Sequence, residues 1–287
     1  MQGKCHLTHE FCDLRQSHIY PKFVVNWMKE TGSKYQRTYL LPNKREQDGY
    51  KMCLLSENAE QLFSHREKWF AEHVFNPYLQ NSSITFSYDE NLFYFAVSVL
   101  WRILILELKA ADINDFKYKK IMIETEEQWR NFLYRGIYPK DFDRIHLMLF
   151  DRIVSHTLPL EGVEYYFTRI MDGTTVYNEK TNKCAIYVKF ARFAFWGFLS
   201  GIDDSHFQGT KINPIQGQMN MNGQKMDDFI YGFYTNRIAI INNAPEPSEK
   251  QQEIIEQEIL DNIDHYKKAE LSDIIEADIS FYKKNLK

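Results

Sequence analysis

The sequence predicts an α+β protein, with a small N-terminal module over residues 1–80 and a larger, mainly helical domain over residues 86–287. Apolar residues recur at helical spacing through most of the chain. Residues 163–199 instead alternate β-branched and aromatic residues, a pattern typical of strands. With 287 residues, 44% of them hydrophobic, the chain is long enough to bury one large core or two smaller ones.

The N-terminal module is predicted to contain two helices separated by a polar loop. The first pattern begins at Pro21 and stops at Gly32, and the second runs from about Asn58 to Val74. The loop between them contains Asp48-Gly49, a dipeptide that favours a turn.

The second domain is predicted to begin with a buried helix over residues 89–108. Its apolar run is interrupted by Arg102 and is shorter than the roughly 20 residues that span a bilayer, so we expect no membrane segment. The remaining expected elements are helices over 125–135 and 141–156, the second of them capped by Asp141, a strand region around 163–199 with a hairpin at Asp172-Gly173, a helix capped by Ser248 and a final helix from Ser272.

The charge distribution limits the partners of the chain. A formal net charge of −4 argues against a uniformly basic nucleic-acid-binding protein. Residues 1–80 carry 11 Lys and Arg against 9 Asp and Glu, whereas residues 244–287 carry 6 against 11. We therefore expect any DNA contact near the front of the chain and any protein partner on the acidic C-terminal helices.

The N-terminus and the cysteines predict a cytoplasmic protein. The first residues are polar and contain no apolar stretch of the signal-peptide type. The four cysteines have no spacing typical of a disulfide framework, so we expect reduced thiols.

Several short motifs follow one another within the first 80 residues. The segment SHIYPKF, residues 17–23, comes after Cys5 and before the segment QDG, residues 47–49. Leu54-Leu55, Glu60 and FSHRE, residues 63–67, follow in that order. In order and spacing these motifs resemble a bacterial group of HNH-like proteins, the treble-clef type with a Ser-His-Ile-x-Pro motif.

This resemblance implies a metal-dependent endonuclease that acts on DNA, as a bacterial defence effector. HNH-type nucleases use a β-β-α element in which a histidine at the end of the first strand activates water. Residues of the following helix help to hold a divalent cation on the scissile phosphate, and the cation stabilises the charge that develops there. Two Cys-x-x-Cys knuckles with a structural zinc often clamp so small an element.

The resemblance makes His18 the candidate general base, because an unperturbed pKa of about 6.5 suits proton abstraction near neutral pH. Glu60 and Glu67 lie seven residues apart on one predicted helix face. With His18, and with His65 as a further ligand, they would bind Mg²⁺ or Mn²⁺. The structural alternatives are a His18 that bonds a backbone carbonyl beside a strand end and a solvated acidic helix edge.

We do not expect a structural Zn²⁺, because three of the four expected knuckle cysteines are absent. Thr8, Ser56 and Ala59 occupy their positions, and none of these residues supplies a thiolate. The alternative ligands for a zinc are the other cysteines and histidine near the motif. These are Cys5, His9, Cys12 and Cys53.

The candidate phosphate contacts are four basic side chains of the module, Lys22, Lys44, Arg45 and Arg66. Surface solubility is the alternative role of each. The missing cysteines also leave a second class of function open. In that class the chain is a catalytically inactive HNH-like relative that acts as a protein-binding or regulatory subunit, paired with another protein or with a second copy of itself.

Overall fold

The computed structural model describes residues 1–38, 41–110, 112–152 and 161–285, and it confirms the α+β class. The strands are β1 (Gln2–Lys4), β2 (Phe11–Asp13), β3 (Arg15–His18), β4 (Gln36–Thr38), β5 (Leu41–Glu46), β6 (Lys51–Leu55), β7 (Phe86–Asp89), β8 (Ile145–Leu149), β9 (Asp172–Asn178), β10 (Lys183–Phe190), β11 (Phe193–Ser200) and β12 (Gln216–Met219). The helices are α1 (Lys22–Glu30), α2 (Glu57–Phe70), α3 (Asn76–Gln80), α4 (Glu90–Leu108), α5 (Lys119–Arg135), α6 (Val163–Arg169), α7 (Asp228–Asn242), α8 (Glu249–Asp261), α9 (Ile263–Lys268) and α10 (Glu270–Asn285).

A four-stranded antiparallel sheet, in the order β8-β11-β10-β9, forms the centre of the second domain. Alternation along β10 divides its side chains between two hydrophobic clusters. Ile186 and Val188 belong to the cluster that contains α4, and Ala185 and Tyr187 belong to the cluster that contains α6 and α7. The sheet is therefore covered by helices on both faces, which explains why β10 and β11 are apolar almost throughout.

Helix α4 is the core helix of the chain. The Asp89 carboxylate caps it by accepting from the backbone N–H of Asn91 at 3.0 Å. In the part of the chain that the structure describes, it is the one helix long and apolar enough to cross a membrane, and 72% of that apolar window is buried inside the protein. Its composition thus matches its position between α2, α5 and the sheet.

The N-terminal module packs directly on α4. Helix α2 continues through a π-helical turn, Ala71–Phe75, into α3. The rings of Phe70 in α2 and Phe95 in α4 stack with centroids 4.0 Å apart. One hydrophobic cluster therefore runs from the module into the second domain, and the division at residues 80–86 stays a prediction.

The C-terminal helices fold back onto the module. The backbone N–H of Ser248 donates to Asn43 Oδ1 at 2.8 Å, and Arg45 forms an ion pair with Glu258. Further along, Lys34 Nζ donates to Asn262 Oδ1 at 2.7 Å. Part of the acidic surface predicted for a partner is thus in contact with the chain itself.

The strand prediction around 163–199 was wrong at its start and in the position of its hairpin, and it was right for the strands themselves. Residues 163–169 form α6, whose side chains are mostly buried, so a nearly continuous apolar and aromatic run there reflects burial and not strand alternation. Asp172-Gly173 lies inside β9, and the turn to β10 falls at residues 179–182. The aromatic strands β10 and β11 do pair as neighbours.

Two other local predictions were wrong. The helix expected over 141–156 is the strand β8 in its middle part, and its expected cap, Asp141, has a left-handed φ of 71°. The last part of that expected helix falls on residues 153–160, which lie outside the described residues. Ser248 precedes α8 as predicted, but its side chain makes no capping hydrogen bond.

Candidate functional site

Two paired strands and the helix that follows them position the predicted catalytic residues. Strands β3 and β6 pair antiparallel, and α2 begins two residues after β6 ends. His18 is the last residue of β3 and lies opposite Lys51. This β3-β6-α2 order places a histidine at the end of the first strand, with Glu67 on the following helix.

The His18 imidazole is half-buried and faces charges of both signs. Burial and the charge of Lys51 lower its pKa, and Lys22 lowers it further. The Glu67 carboxylate and a hydrogen bond to the backbone carbonyl of Asp48 raise its pKa, but the net direction is downward. The ring is therefore neutral near pH 7, which is the state that a general base requires.

Glu67 is held by a buried arginine. The Arg102 Nη2 atom donates to Glu67 Oε1 at 2.5 Å, and the two side chains are only 3% and 20% exposed. The Arg102 guanidinium also lies over the Phe63 ring, 4.9 Å from its centroid. The Arg102 guanidinium is therefore already paired with the Glu67 carboxylate, which was expected to hold a metal ion.

The other predicted metal ligands are arranged differently. Glu60 Oε1 is buried and has no hydrogen-bond partner among the residues the structure describes. His65 is exposed on α2, two residues before Glu67, and so projects from a different side of the helix. Asp48, which was predicted as a turn residue, lies in the turn before β6, where its carboxylate contacts Lys51 Nζ at 3.1 Å.

These residues do not fit a divalent-cation site in this conformation. Such a site takes several oxygen ligands around one point. Within the described ranges, no group of three or more His, Cys, Asp or Glu side chains is placed to hold a metal ion. Glu67 faces both His18 and Arg102, and Glu60 lies two turns away along α2.

The four knuckle positions nevertheless come together. The Cys5 thiol is fully buried and accepts from the backbone N–H of Ser56 at 3.3 Å. Burial alone would raise its pKa, but hydrogen bonds from Thr8 and Ser56 outweigh burial and lower it. The Ser56 hydroxyl in turn accepts from the backbone N–H of Ala59 at 3.3 Å and so caps α2.

Among the described residues, the alternative zinc ligands do not form a group placed to hold a metal ion. His9 is exposed with a left-handed φ of 64°, and Cys12 packs partly against the core. Cys53 accepts from Gln16 Nε2 at 3.5 Å. Hydrogen bonds and packing hold these residues in the turn.

The predicted phosphate contacts mostly have partners within the chain. Lys44 lies 3.2 Å from Glu46, and Arg45 pairs with Glu258. The Arg66 guanidinium lies over the Tyr94 ring, 4.7 Å from its centroid. Lys22 is exposed at the first turn of α1 and faces His18.

Sequence reasoning did not identify Arg102 as part of this site. Its signal was available, because an arginine inside an apolar, buried helix requires a partner. The partner is 35 residues away in sequence, on a different helix, and only the packing of α2 against α4 identifies it.

Comparison of the chain with protein-family models, with curated proteins and with solved structures gave no match in any of the three.

Proposed function

We propose that the chain is a catalytically inactive HNH-like protein, which uses the β3-β6-α2 element as a binding or regulatory module. The resemblance supports the HNH-like part, together with the convergence of the four knuckle positions and the place of His18 at a strand end. The ion pair between Arg102 and Glu67 is the observation that supports the lack of catalytic activity.

The energetics of that ion pair oppose metal binding. A metal ion that recruited Glu67 would leave the buried Arg102 charge without its partner. Removal of one member of a buried pair costs about 3–5 kcal/mol, which the metal would have to offset. Two further Arg102 atoms, Nε and Nη1, already have no hydrogen-bond partner among the described residues, so no second acceptor there replaces Glu67.

The second candidate function is the metal-dependent DNA endonuclease. One observation favours it: His18 is near enough to Glu67 for the carboxylate to raise the pKa of the imidazole. In that case His18 takes a proton from water, and a conformational change first separates Glu67 from Arg102.

Nuclease and metal-binding assays distinguish the two candidates. The purified chain of 287 residues and its His18→Ala variant are incubated with supercoiled plasmid and with single-stranded DNA, in Mg²⁺ and in Mn²⁺. Mn²⁺ binding is measured in parallel by electron paramagnetic resonance, with Glu67→Gln as the comparison. We expect no cleavage that depends on His18 and no bound Mn²⁺ that depends on Glu67.

Cleavage by the wild type that disappears in a folded His18→Ala protein would overturn the proposal and establish the endonuclease. Circular dichroism of both proteins provides the folding control.

A further inference from the structure

A group of basic side chains at the knuckle end of the module takes no part in the proposed function or in the second candidate function. It lies where the turn after β1 meets the ends of α4 and α5. We call it the knuckle-end cluster, and its members are Lys4, His6, His9, Lys109, Arg130 and Arg135.

One direct contact joins two members of this cluster that are far apart in sequence. His6 Nε2 lies 2.9 Å from Lys109 Nζ, so the ammonium donates to a neutral imidazole. Arg130 Nε lies 3.2 Å from Glu126 Oε1, which also accepts from the Trp101 indole N–H. Glu126 is thus the one carboxylate that the structure pairs with a cluster member in the described part of the chain.

The electrostatic environment of both histidines is positive. Burial lowers the pKa of His6 to about 4, and Lys109, His9 and Lys4 contribute in the same direction. Burial also lowers the pKa of His9, and the positive charges of Arg130, Lys4 and Arg135 lower it further. Among the described residues no carboxylate contributes to either shift, although the whole chain has a net charge of −4.

An exposed aromatic side chain adjoins these cations. Phe11 is 76% exposed and pairs directly with Lys4 across the β1–β2 hairpin. Directly opposite residues of an antiparallel pair project from the same face, so the Phe11 and Lys4 side chains leave the hairpin on the same side. Gly3 and Cys12 occupy the other face, which is turned towards the core.

We propose that the knuckle-end cluster binds single-stranded nucleic acid, with the backbone phosphates at the cations and a base stacked on Phe11. Proteins that bind single strands combine a positively charged surface with exposed aromatic rings, since every base has a face that stacks. In a duplex the bases are stacked inside the double helix. A duplex would therefore contact the cations through its phosphates but would place no base on Phe11. This inference rests on the proposed binding role of the module and names its partner.

The location differs from the one that the sequence predicted. Lys44 and Arg45 have carboxylate partners, and Arg66 covers a tyrosine ring. The knuckle-end cluster instead has four cationic side chains, two neutral imidazoles and, among the described residues, one paired carboxylate, so its positive field can act on a polyanion.

The test is a binding titration of full-length chain by fluorescence anisotropy. The probes are fluorescein-labelled oligothymidylate and a labelled duplex of the same length, in EDTA so that no cleavage interferes. The variants are Phe11→Ala and the double charge reversal Lys4→Glu with Lys109→Glu. The matched control is Lys120→Glu, a lysine with a 90% exposed side chain near the start of α5 and outside the cluster.

We expect the wild type to bind oligothymidylate more tightly than the duplex. Phe11→Ala should weaken binding about tenfold and leave the salt dependence unchanged, because the base no longer stacks while the phosphates are still neutralised. The double reversal should lower the slope of log K against log salt by about 0.7 for each phosphate that the protein no longer neutralises. Lys120→Glu should bind like the wild type.

Three results would overturn the inference: no binding by the wild type at low salt, tighter binding of the duplex, or equal losses of affinity in Lys120→Glu and the double reversal. Unfolding curves of each variant show whether weaker binding reflects a loss of fold. Cleavage of DNA in Mg²⁺ would contradict the proposed inactivity and leave these binding results unaffected, so the two failures are distinguishable.

Discussion

The N-terminal module and the sheet region each contain an ion pair with a buried member, and the two pairs differ in how completely they are hydrogen-bonded. Under the sheet, Asp172 is 4% exposed and accepts from Arg237 Nε at 2.7 Å and Arg237 Nη2 at 2.6 Å. It also accepts from the Tyr166 hydroxyl at 3.0 Å. Where the module meets α4, Arg102 donates through Nη2 to Glu67, while its Nε and Nη1 have no hydrogen-bond partner in the described chain.

The Asp172–Arg237 pair is thus a fully hydrogen-bonded structural pair. The Glu67–Arg102 pair leaves donors of Arg102 without acceptors among the described residues, and we call it the unfinished pair. Buried polar groups in folded proteins almost always find partners, because an unmade hydrogen bond in the interior costs about 1–3 kcal/mol. Asp172 meets that condition and fixes α7 to the start of β9. Arg102 does not meet it, which is one reason to look for function beside α2 and α4 and not under the sheet.

The largest expected effect comes from removal of the structural pair. Asp172→Ala leaves Arg237 without its bidentate partner, so the free energy of unfolding should fall by about 3–5 kcal/mol. Urea denaturation followed by circular dichroism measures the change. Glu124→Ala, an exposed carboxylate on α5, is the matched control and should change stability by less than about 0.5 kcal/mol. Equal effects of the two substitutions would show that the Asp172–Arg237 pair does not stabilise the fold more than an exposed carboxylate does.

The next effect is a gain of stability from restored zinc ligands. A chain with Thr8→Cys, Ser56→Cys and Ala59→Cys should bind Zn²⁺ together with Cys5, since the four positions converge. At a free zinc concentration a thousand times the dissociation constant, binding adds about 4 kcal/mol to the free energy of unfolding. The absorption of the Co²⁺ form reports tetrahedral thiolate ligation. The same chain with Cys5→Ser is the control, and absence of that spectrum would contradict the convergence.

A smaller effect is expected at the unfinished pair. Glu67→Gln should lower the free energy of unfolding by about 2 kcal/mol, less than the full loss of a partner, because the glutamine amide oxygen still accepts a hydrogen bond from Arg102. Combined with Arg102→Met, the destabilisation should shrink, since both charges are then gone. A double-mutant cycle by urea denaturation measures the coupling. Purely additive changes would show that the two side chains do not interact.

The smallest effect is a pH dependence at the knuckle-end cluster. The pKa of His6 is about 4 in the folded chain and about 6.5 when unfolded, so the unfolded chain binds more protons between these values. Stability should therefore fall as the pH drops from 7 to 5, by about 1 kcal/mol from His6 after allowance for solvent screening. His6→Gln should lose that part of the dependence. Identical pH profiles for the two proteins would contradict the assignment.

The sequence predicted the parts of the fold that depend on local pattern. The helical pattern that starts at Pro21 became α1, and the apolar run over residues 89–108 became α4. Residues 163–169 escaped prediction because α6 is buried on nearly all sides, which removes the polar face that marks a surface helix. Asp141 failed as a cap because its left-handed backbone ends a turn and starts no helix.

The candidate site was predictable only where its residues are neighbours in sequence. The place of His18 at the end of a strand followed from the motif around it. The contacts that decide its chemistry are long-range: Arg102 reaches Glu67 across 35 residues, and Lys109 reaches His6 across 103. No local sequence pattern encodes such pairs, because they form only when α2 and the turn after β1 pack against α4.

The stacked rings of Phe70 and Phe95 have an evolutionary consequence. Exchange of a module between genes succeeds when the module carries its own core. Here the last turn of α2 packs its aromatic rings against a helix that follows residue 86, so a fragment cut between them would expose that surface to water. A recombination event that transferred the His18 motif to another protein would have to carry α4 with it, Arg102 included.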